Sequence, residues 1–330
     1  MNPSLNEITL FYLTDLEKIP ALQQIQIDKH LSIPTADPNY VLQPMTMEEF
    51  QDPVVLWQNV IQTIHGEPAI YMDDPHGWYL GYRNNELIGS CASLKKAHKT
   101  AWLGYYYVQE QFRGKGYGKL MFETILKNDY KMGIENHTLI CLDSLVPMYN
   151  SIGFQAYTYD VIFQSNLENS LISKINILPL TMSPQLFNSL VDYDKNIQYG
   201  LDRKNFLNLW LNKKETHVII AMKHDKIVGY NVISDFKYPN DNNIVNQRMA
   251  PLYADDAKIA ESLIVAGLQL KSKPLMYIDA DGSNPEAIKL IHKLGSFTQI
   301  AQLARMSFPK IPEYYDTSKV FSPTFYGNGP

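Results

Sequence analysis

Read from the N-terminus, the apolar positions of this chain change period several times. The run at 40–45 predicts a strand. Thr46, followed three residues later by Glu49, makes a capping box for a helix, and Val55, Leu56, Val60, Ile61 and Ile64 continue at helical spacing to Gly66. Runs at 78–82 and 87–94 predict two strands, and Asn84-Asn85 between them signals the turn of a hairpin. Another strand is predicted at 101–108, then a helix at 116–128 striped by Phe122, Ile125 and Leu126. A buried strand at 138–142, a short helix at 146–151 and a strand at 154–163 complete the first half. Upstream, 5–13 predicts a short strand, and 15–30 a helix with Pro20 near its start.

The order then recurs. Helical spacing covers 203–211, 257–270 and 284–294, a hairpin is predicted at 217–222 and 226–232, and strands at 275–278 and 298–306. Fragments repeat as well. Glu86-Leu87-Ile88-Gly89 is echoed 140 residues later by Lys226-Ile227-Val228-Gly229, Asp143 by Asp279, and Gly153-Phe154 by Gly295-Ser296-Phe297. So long a period indicates duplicated domains rather than a short-repeat solenoid. The expected division is an N-terminal extension at 1–38, a first domain at 39–165 and a linker at 166–178. A second domain follows at 179–310, then a tail at 311–330 that lies along the surface.

Composition narrows the classes. A chain of 330 residues can bury two cores, and 45% hydrophobic with 19% charged residues is ordinary for a globular protein. A net charge of −5 argues against a broad nucleic-acid-binding face. Cys91 and Cys141 both sit in apolar runs and are expected to be buried thiols, and no Cys/His spacing suggests a metal. No apolar stretch approaches the roughly 20 residues that span a bilayer, and no secretory signal is seen. A cytoplasmic protein without membrane or nucleic-acid partners is expected, as monomer or homodimer.

One segment carries chemistry. In 105–126 a β-branched and aromatic run ends in a loop with three glycines, and a helical pattern follows. Arg113-x-x-Gly116-x-Gly118 has the spacing of a pyrophosphate cradle. Glycines let backbone N–H groups approach phosphate oxygens, and the next helix presents its positive end. Arg113, Lys115 and Lys119 add charge. A local basic loop in a mildly acidic protein favours a small anionic ligand. An NTPase reading fails, because no G-x-x-x-x-G-K-[ST] is present.

The order of elements, the cradle five residues after Val108, and Tyr149 followed by Gly153-Phe154 resemble the GNAT superfamily of N-acetyltransferases. Residues 74–82, 104–118, Leu142-Asp143 and the second-half segments Gly229-Tyr230 and 250–256 are similar to a bacterial tandem-GNAT subfamily, in which an active domain precedes a divergent one. The resemblance covers roughly residues 40–310. It implies an α/β (α+β) fold of two tandem domains, each a mostly antiparallel mixed sheet flanked by helices and splayed between strands 4 and 5. It implies an acetyl-CoA-dependent acyltransferase acting on a small-molecule primary amine, with a non-catalytic acyl-CoA-binding or sensing module as the alternative.

The resemblance also distributes roles. Gly114, Lys115, Gly116, Tyr117 and Gly118, with Arg113 and Lys119, would cradle the coenzyme A diphosphate. Val108, with Tyr107 beside it, would offer backbone N–H groups to pantetheine and the thioester oxygen. Tyr149 would protonate the departing thiolate, since a phenol near pKa 10 is a competent donor. Asp143, then Glu110, are the candidate general bases, although ordered water can take that part. No metal is expected. In the second domain the cradle position reads 248–256, without glycine, with Pro251 and with Asp255 and Asp256 where a diphosphate would be repelled, and Ile291 stands at the tyrosine position. That copy is expected not to bind acetyl-CoA.

Overall fold

A computed structural model describes residues 8–16, 27–29, 31–51, 68–165, 175–213, 216–236 and 245–324. The first half contributes β2 (Ile33–Pro34), β3 (Tyr40–Pro44), α1 (Met47–Gln51), α2 (Pro68–Tyr71), β4 (Trp78–Arg83), β5 (Glu86–Lys96) and β6 (Thr100–Val108). It continues with α3 (Tyr117–Lys131), β7 (Asn136–Cys141), α4 (Val146–Asn150) and β8 (Gln155–Ser165). The second half contributes β9 (Ile177–Met182), α5 (Pro184–Ile197), α6 (Lys204–Leu211), β10 (His217–Lys223), β11 (Lys226–Phe236) and β12 (Asn246–Ala254). After it come α7 (Ala257–Gln269), β13 (Met276–Asp281), α8 (Pro285–Leu294), β14 (Thr298–Phe308) and β15 (Val320–Ser322).

The first strand of the chain, β1 (Thr9–Leu16), does not join the first half. It lies parallel to β9 and antiparallel to β10. The helix expected at 15–30 starts inside this strand, and residues 17–26 and 30 lie outside the described residues, as do 52–67 of the helix expected after Thr46. The capping box itself is formed: the Thr46 N–H donates to Glu49 Oε2 at 2.8 Å, and the Glu49 N–H to Thr46 Oγ1 at 3.2 Å. Helix α5 was not anticipated, yet its signals are present. Ser183 Oγ accepts from the Leu186 N–H, Pro184 opens the helix, and Phe187, Leu190, Val191 and Ile197 form its buried stripe.

Both halves share one mixed, mostly antiparallel sheet, in the order β2-β3-β4-β5-β6-β7-β14-β8-β13-β12-β11-β10-β1-β9, with β15 added on β12. The middle of this order shows a reciprocal exchange. The last strand of the second half, β14, pairs with β7 of the first, and the last strand of the first half, β8, pairs with β13 of the second. The two exchanged strands pair with each other.

Register fixes the faces. Gln302 of β14 stands opposite Val161 of β8, so Val161 and Ala304 share a face. Ala304 packs in the core under α3 and α4, and Val161 packs against the core under α7 and α8, which places these four helices on one face. The opposite face is covered by a cluster common to both halves. It joins Trp78, Trp102 and Tyr105 to α5, α6, Tyr230 and Tyr253.

Candidate functional site

β6 and β7 run parallel for only three residue pairs, Thr100 with Asn136, Ala101 with His137 and Trp102 with Thr138. Beyond Trp102 they diverge, and among the described residues the β7-facing edge of Leu103–Val108 has no strand partner. A bulge helps to open it. Between the pairs Ala92–Gly104 and Ser90–Tyr107, β6 carries one more residue than β5, and Tyr105 there takes φ +48°. Ser90 Oγ donates to the Tyr105 carbonyl at 3.0 Å, so this kink is satisfied internally.

The glycine loop follows at the open end. A short 3-10 turn (Glu110–Phe112) leads into Arg113, whose Nε donates to the Val108 carbonyl at 2.9 Å. The Arg113 guanidinium stands 5.5 Å from the Tyr107 ring centre, and Lys115 Nζ 5.5 Å from that of Phe112. Gly114 and Gly116 take φ +73° and +85°, so their backbone conformation is what demands glycine. Gly116 is the N-cap of α3, and no side chain caps that helix. Its first N–H groups are therefore available to an anion. At Gly118 the constraint is space: a Cβ there would lie 2.2 Å from Tyr106 Oη.

A cavity of about 500 Å³ adjoins this loop. Tyr106 of β6, Lys119, Phe122, Glu123 and Leu126 of α3, and Met148, Tyr149 and Ile152 at α4 line it. Tyr149 is buried, and burial pushes its phenol up to about 12. It is thus protonated throughout the neutral range and has a proton to donate.

Of the residues singled out in the sequence, the structure brings Tyr149 and Lys119, the residue after Gly118, to the cavity wall. Tyr107 turns away and packs against the cluster on the opposite face. Tyr106 and Phe122 line the cavity, and side chains alternate faces along β6, so Tyr105 and Tyr107 point the other way. Asp143 and Glu110 do not line the cavity. Both are exposed, and Gln302 Nε2 of the exchanged strand donates to Asp143 Oδ2 at 3.4 Å.

The equivalent cleft of the second half is closed. β12 and β13 also pair over three residues, Gln247 with Met276, Arg248 with Tyr277 and Met249 with Ile278. Where they diverge, β15 lies on β12, pairing Leu252 with Ser322 and Tyr253 with Val320. Asn284 Nδ2 holds this strand through the Ser318 and Val320 carbonyls, at 3.3 and 3.1 Å. The tail is therefore not a surface segment: Tyr314 and Tyr315 are only 2% and 4% exposed. Nor is 248–256 a loop. It is a fully buried strand up to Ala254, and Asp256 caps α7 at once by accepting from the Lys258 and Ile259 N–H groups. In the first half residues 109–116 separate strand from helix, whereas only Asp255 and Asp256 do so here.

A parallel strand pair that splays beside the helix linking its strands, seen twice in one sheet and glycine-led only in the first half, is the frame of an acyltransferase fold. Comparison with known families agrees. Residues 43–154 match the acetyltransferase (GNAT) family, and residues 190–322 match an acetyltransferase (GNAT) domain. The chain belongs to the GNAT superfamily as a tandem acyltransferase. It is 23% identical over 243 residues to the holothin acyltransferase of Pseudoalteromonas sp. (strain SANK 73390), covering 73% of this chain and 77% of that one. Among solved structures, a Pyrococcus horikoshii protein whose suggested activity is acetyl transfer aligns with TM-score 0.66 at 17% identity, over 88% of this chain and 96% of that one. The N-myristoyltransferase of Saccharomyces cerevisiae, bound to myristoyl-CoA, aligns with TM-score 0.61 at 10% identity, over 94% and 96%.

Proposed function

We propose that the first half moves an acetyl group from acetyl-CoA directly to the primary amine of a small molecule. The observation that supports this most is the pairing of an uncapped, glycine-led α3 with an open β6 edge and a cavity ending at Tyr149. Bound there, acetyl-CoA supplies the acyl group as an activated thioester. The N–H groups of 114–119, with Arg113, Lys115 and Lys119, hold the diphosphate. The N–H groups of the unpaired β6 edge, Val108 among them, draw charge from the thioester oxygen as the amine attacks. Tyr149 gives its proton to the departing sulfur.

Because Asp143 and Glu110 stand outside the cavity, the amine proton leaves through water. The second half binds no donor, since β15 occupies its splay and Asp256 its helix end.

Isothermal titration is expected to give one acetyl-CoA per chain, and none after Gly116→Asp with Gly118→Asp. Two donors per chain, or tight binding by that variant, would reject the assignment. A diverse amine panel, followed by acetyl-CoA consumption, is expected to identify acceptors. Tight binding with no product across the panel would support a sensing role instead.

A further inference from the structure

The helix that carries Tyr149 is braced by a strand of the second half. Ala304, Met306 and Phe308 of β14 stand opposite Cys141, Leu139 and His137 of β7, and all three point into the core under α3 and α4. The Cys141 thiol donates to Met306 Sδ at 3.6 Å, and Thr138 Oγ1 to the Met306 carbonyl at 3.1 Å, which seats β14 against β7. Two residues further on, the Phe308 ring lies 5.7 Å from the Phe154 ring between centroids. Gly153 lets it come so close: the residue takes φ +101°, and a Cβ there would lie 2.8 Å from Phe308 Cε2.

From Phe308 the contact reaches the Tyr149 phenol through one ring. Phe154 is buried and packs edge-on against Phe122 of α3 and against Tyr149, with centroids 5.8 and 6.1 Å away. The Tyr149 carbonyl accepts from the Ile152 and Phe154 N–H groups at 3.2 and 3.1 Å, so its backbone is tied to the same turn as its ring. Helix α4 has five residues, too few to fix a buried ring by its own hydrogen bonds.

We propose that Phe308 is a positioning residue for the proton donor, and that through it the second half takes part in the reaction of the first. The inference rests on Tyr149 being the acid. Proton transfer needs the phenol within hydrogen-bond reach of the sulfur, so a small displacement of α4 costs rate and leaves donor affinity in place.

A double-mutant cycle in the full chain tests this, with the amine turned over fastest in the panel. Phe308→Ala is expected to lower kcat about tenfold or more while the acetyl-CoA dissociation constant moves less than about threefold. Phe308→Leu refills part of the space and is expected to lose less; it replaces the alanine variant in the cycle should that one fail to fold. In a Tyr149→Phe background, Phe308→Ala is expected to lower kcat no further, because its effect runs through the missing phenol. A second full loss there, or unchanged kcat in folded Phe308→Ala, would overturn the inference. Fluorotyrosine in place of Tyr149 gives a reading that needs no acceptor. Its fluorine resonance is expected to shift or broaden in Phe308→Ala and to stay in place in Phe321→Ala, a loss in the core under α7. The same response in both variants, or none in Phe308→Ala, would also overturn it. Unchanged turnover in Tyr149→Phe alone would instead reject the acid itself.

Discussion

At the residue scale, burial of Tyr149 sets the protonation of the proposed acid. Raising the phenol to about 12 keeps it protonated, at the expense of acidity, so the proton is always present but less readily given up than by a free phenol. Tyr149→Phe is expected to lower kcat by about a hundredfold or more while the acetyl-CoA dissociation constant moves less than about threefold. Unchanged turnover would remove Tyr149 from the reaction. No alkaline loss of activity from this group is expected below about pH 10, because the raised value places its deprotonation higher still. Gly118 offers a second residue-scale check. Gly118→Ala drives a Cβ against Tyr106 Oη, an overpacking of about 1–3 kcal/mol visible in thermal unfolding. Adding Tyr106→Phe removes the clashing oxygen and is expected to recover part of that loss.

At the scale of elements, the two clefts differ in what fills the free strand edge. In the second half β15 supplies it, and the tail that carries β15 also reaches the cluster shared by both halves through Tyr314 and Tyr315. Phe321→Ala removes a buried ring from the core under α7 and is expected to cost about 3–5 kcal/mol in denaturant unfolding. A cost below 1 kcal/mol would mean that the strand is only loosely seated. The sequence carried the helix start at Thr46, because capping is local, while the same kind of signal at Ser183 went unread. It misled at 248–256, which was read as the cradle position although most of it lies in β12. Tertiary pairing makes that stretch a strand, with Arg248 paired to buried Asp279.

At the scale of the whole molecule, the exchanged strands make the halves interdependent. Residues 1–165 alone would lack β14 and leave β7 with an open edge, so this fragment is expected not to fold until co-expressed with 166–330. A cooperative unfolding transition of the isolated fragment would contradict the exchange. The seam also holds charge. Arg305 Nε donates to Asp160 Oδ1 at 2.7 Å, its Nη1 donates to Tyr315 Oη at 2.6 Å, and Tyr315 Oη donates to Asp281 Oδ2 at 2.7 Å. One guanidinium thus serves two buried carboxyls. Burial raises Asp160 to about 6, with Arg305 opposing it. A carboxyl raised on folding stabilises most below its ordinary value near 4, and that contribution is lost as pH rises through about 6. Wild type is therefore expected to lose stability relative to Asp160→Asn between pH 4 and 7. A difference that does not change with pH would refute this.

The sequence by itself determined the duplication, the strand and helix order of the first half from β3 onward, part of that of the second half, and the glycine loop. These follow from local backbone preferences, periodicity and spacing, which one segment can specify alone. Only the tertiary structure decided which tyrosine of 105–107 faces the cleft, that Asp143 and Glu110 fall outside it, that β8 and β14 change places, and that the tail closes the second cleft. Each of these depends on pairing between residues far apart in the chain. A strand's edge does not encode its partner in its own sequence; register and burial against the rest of the sheet select it.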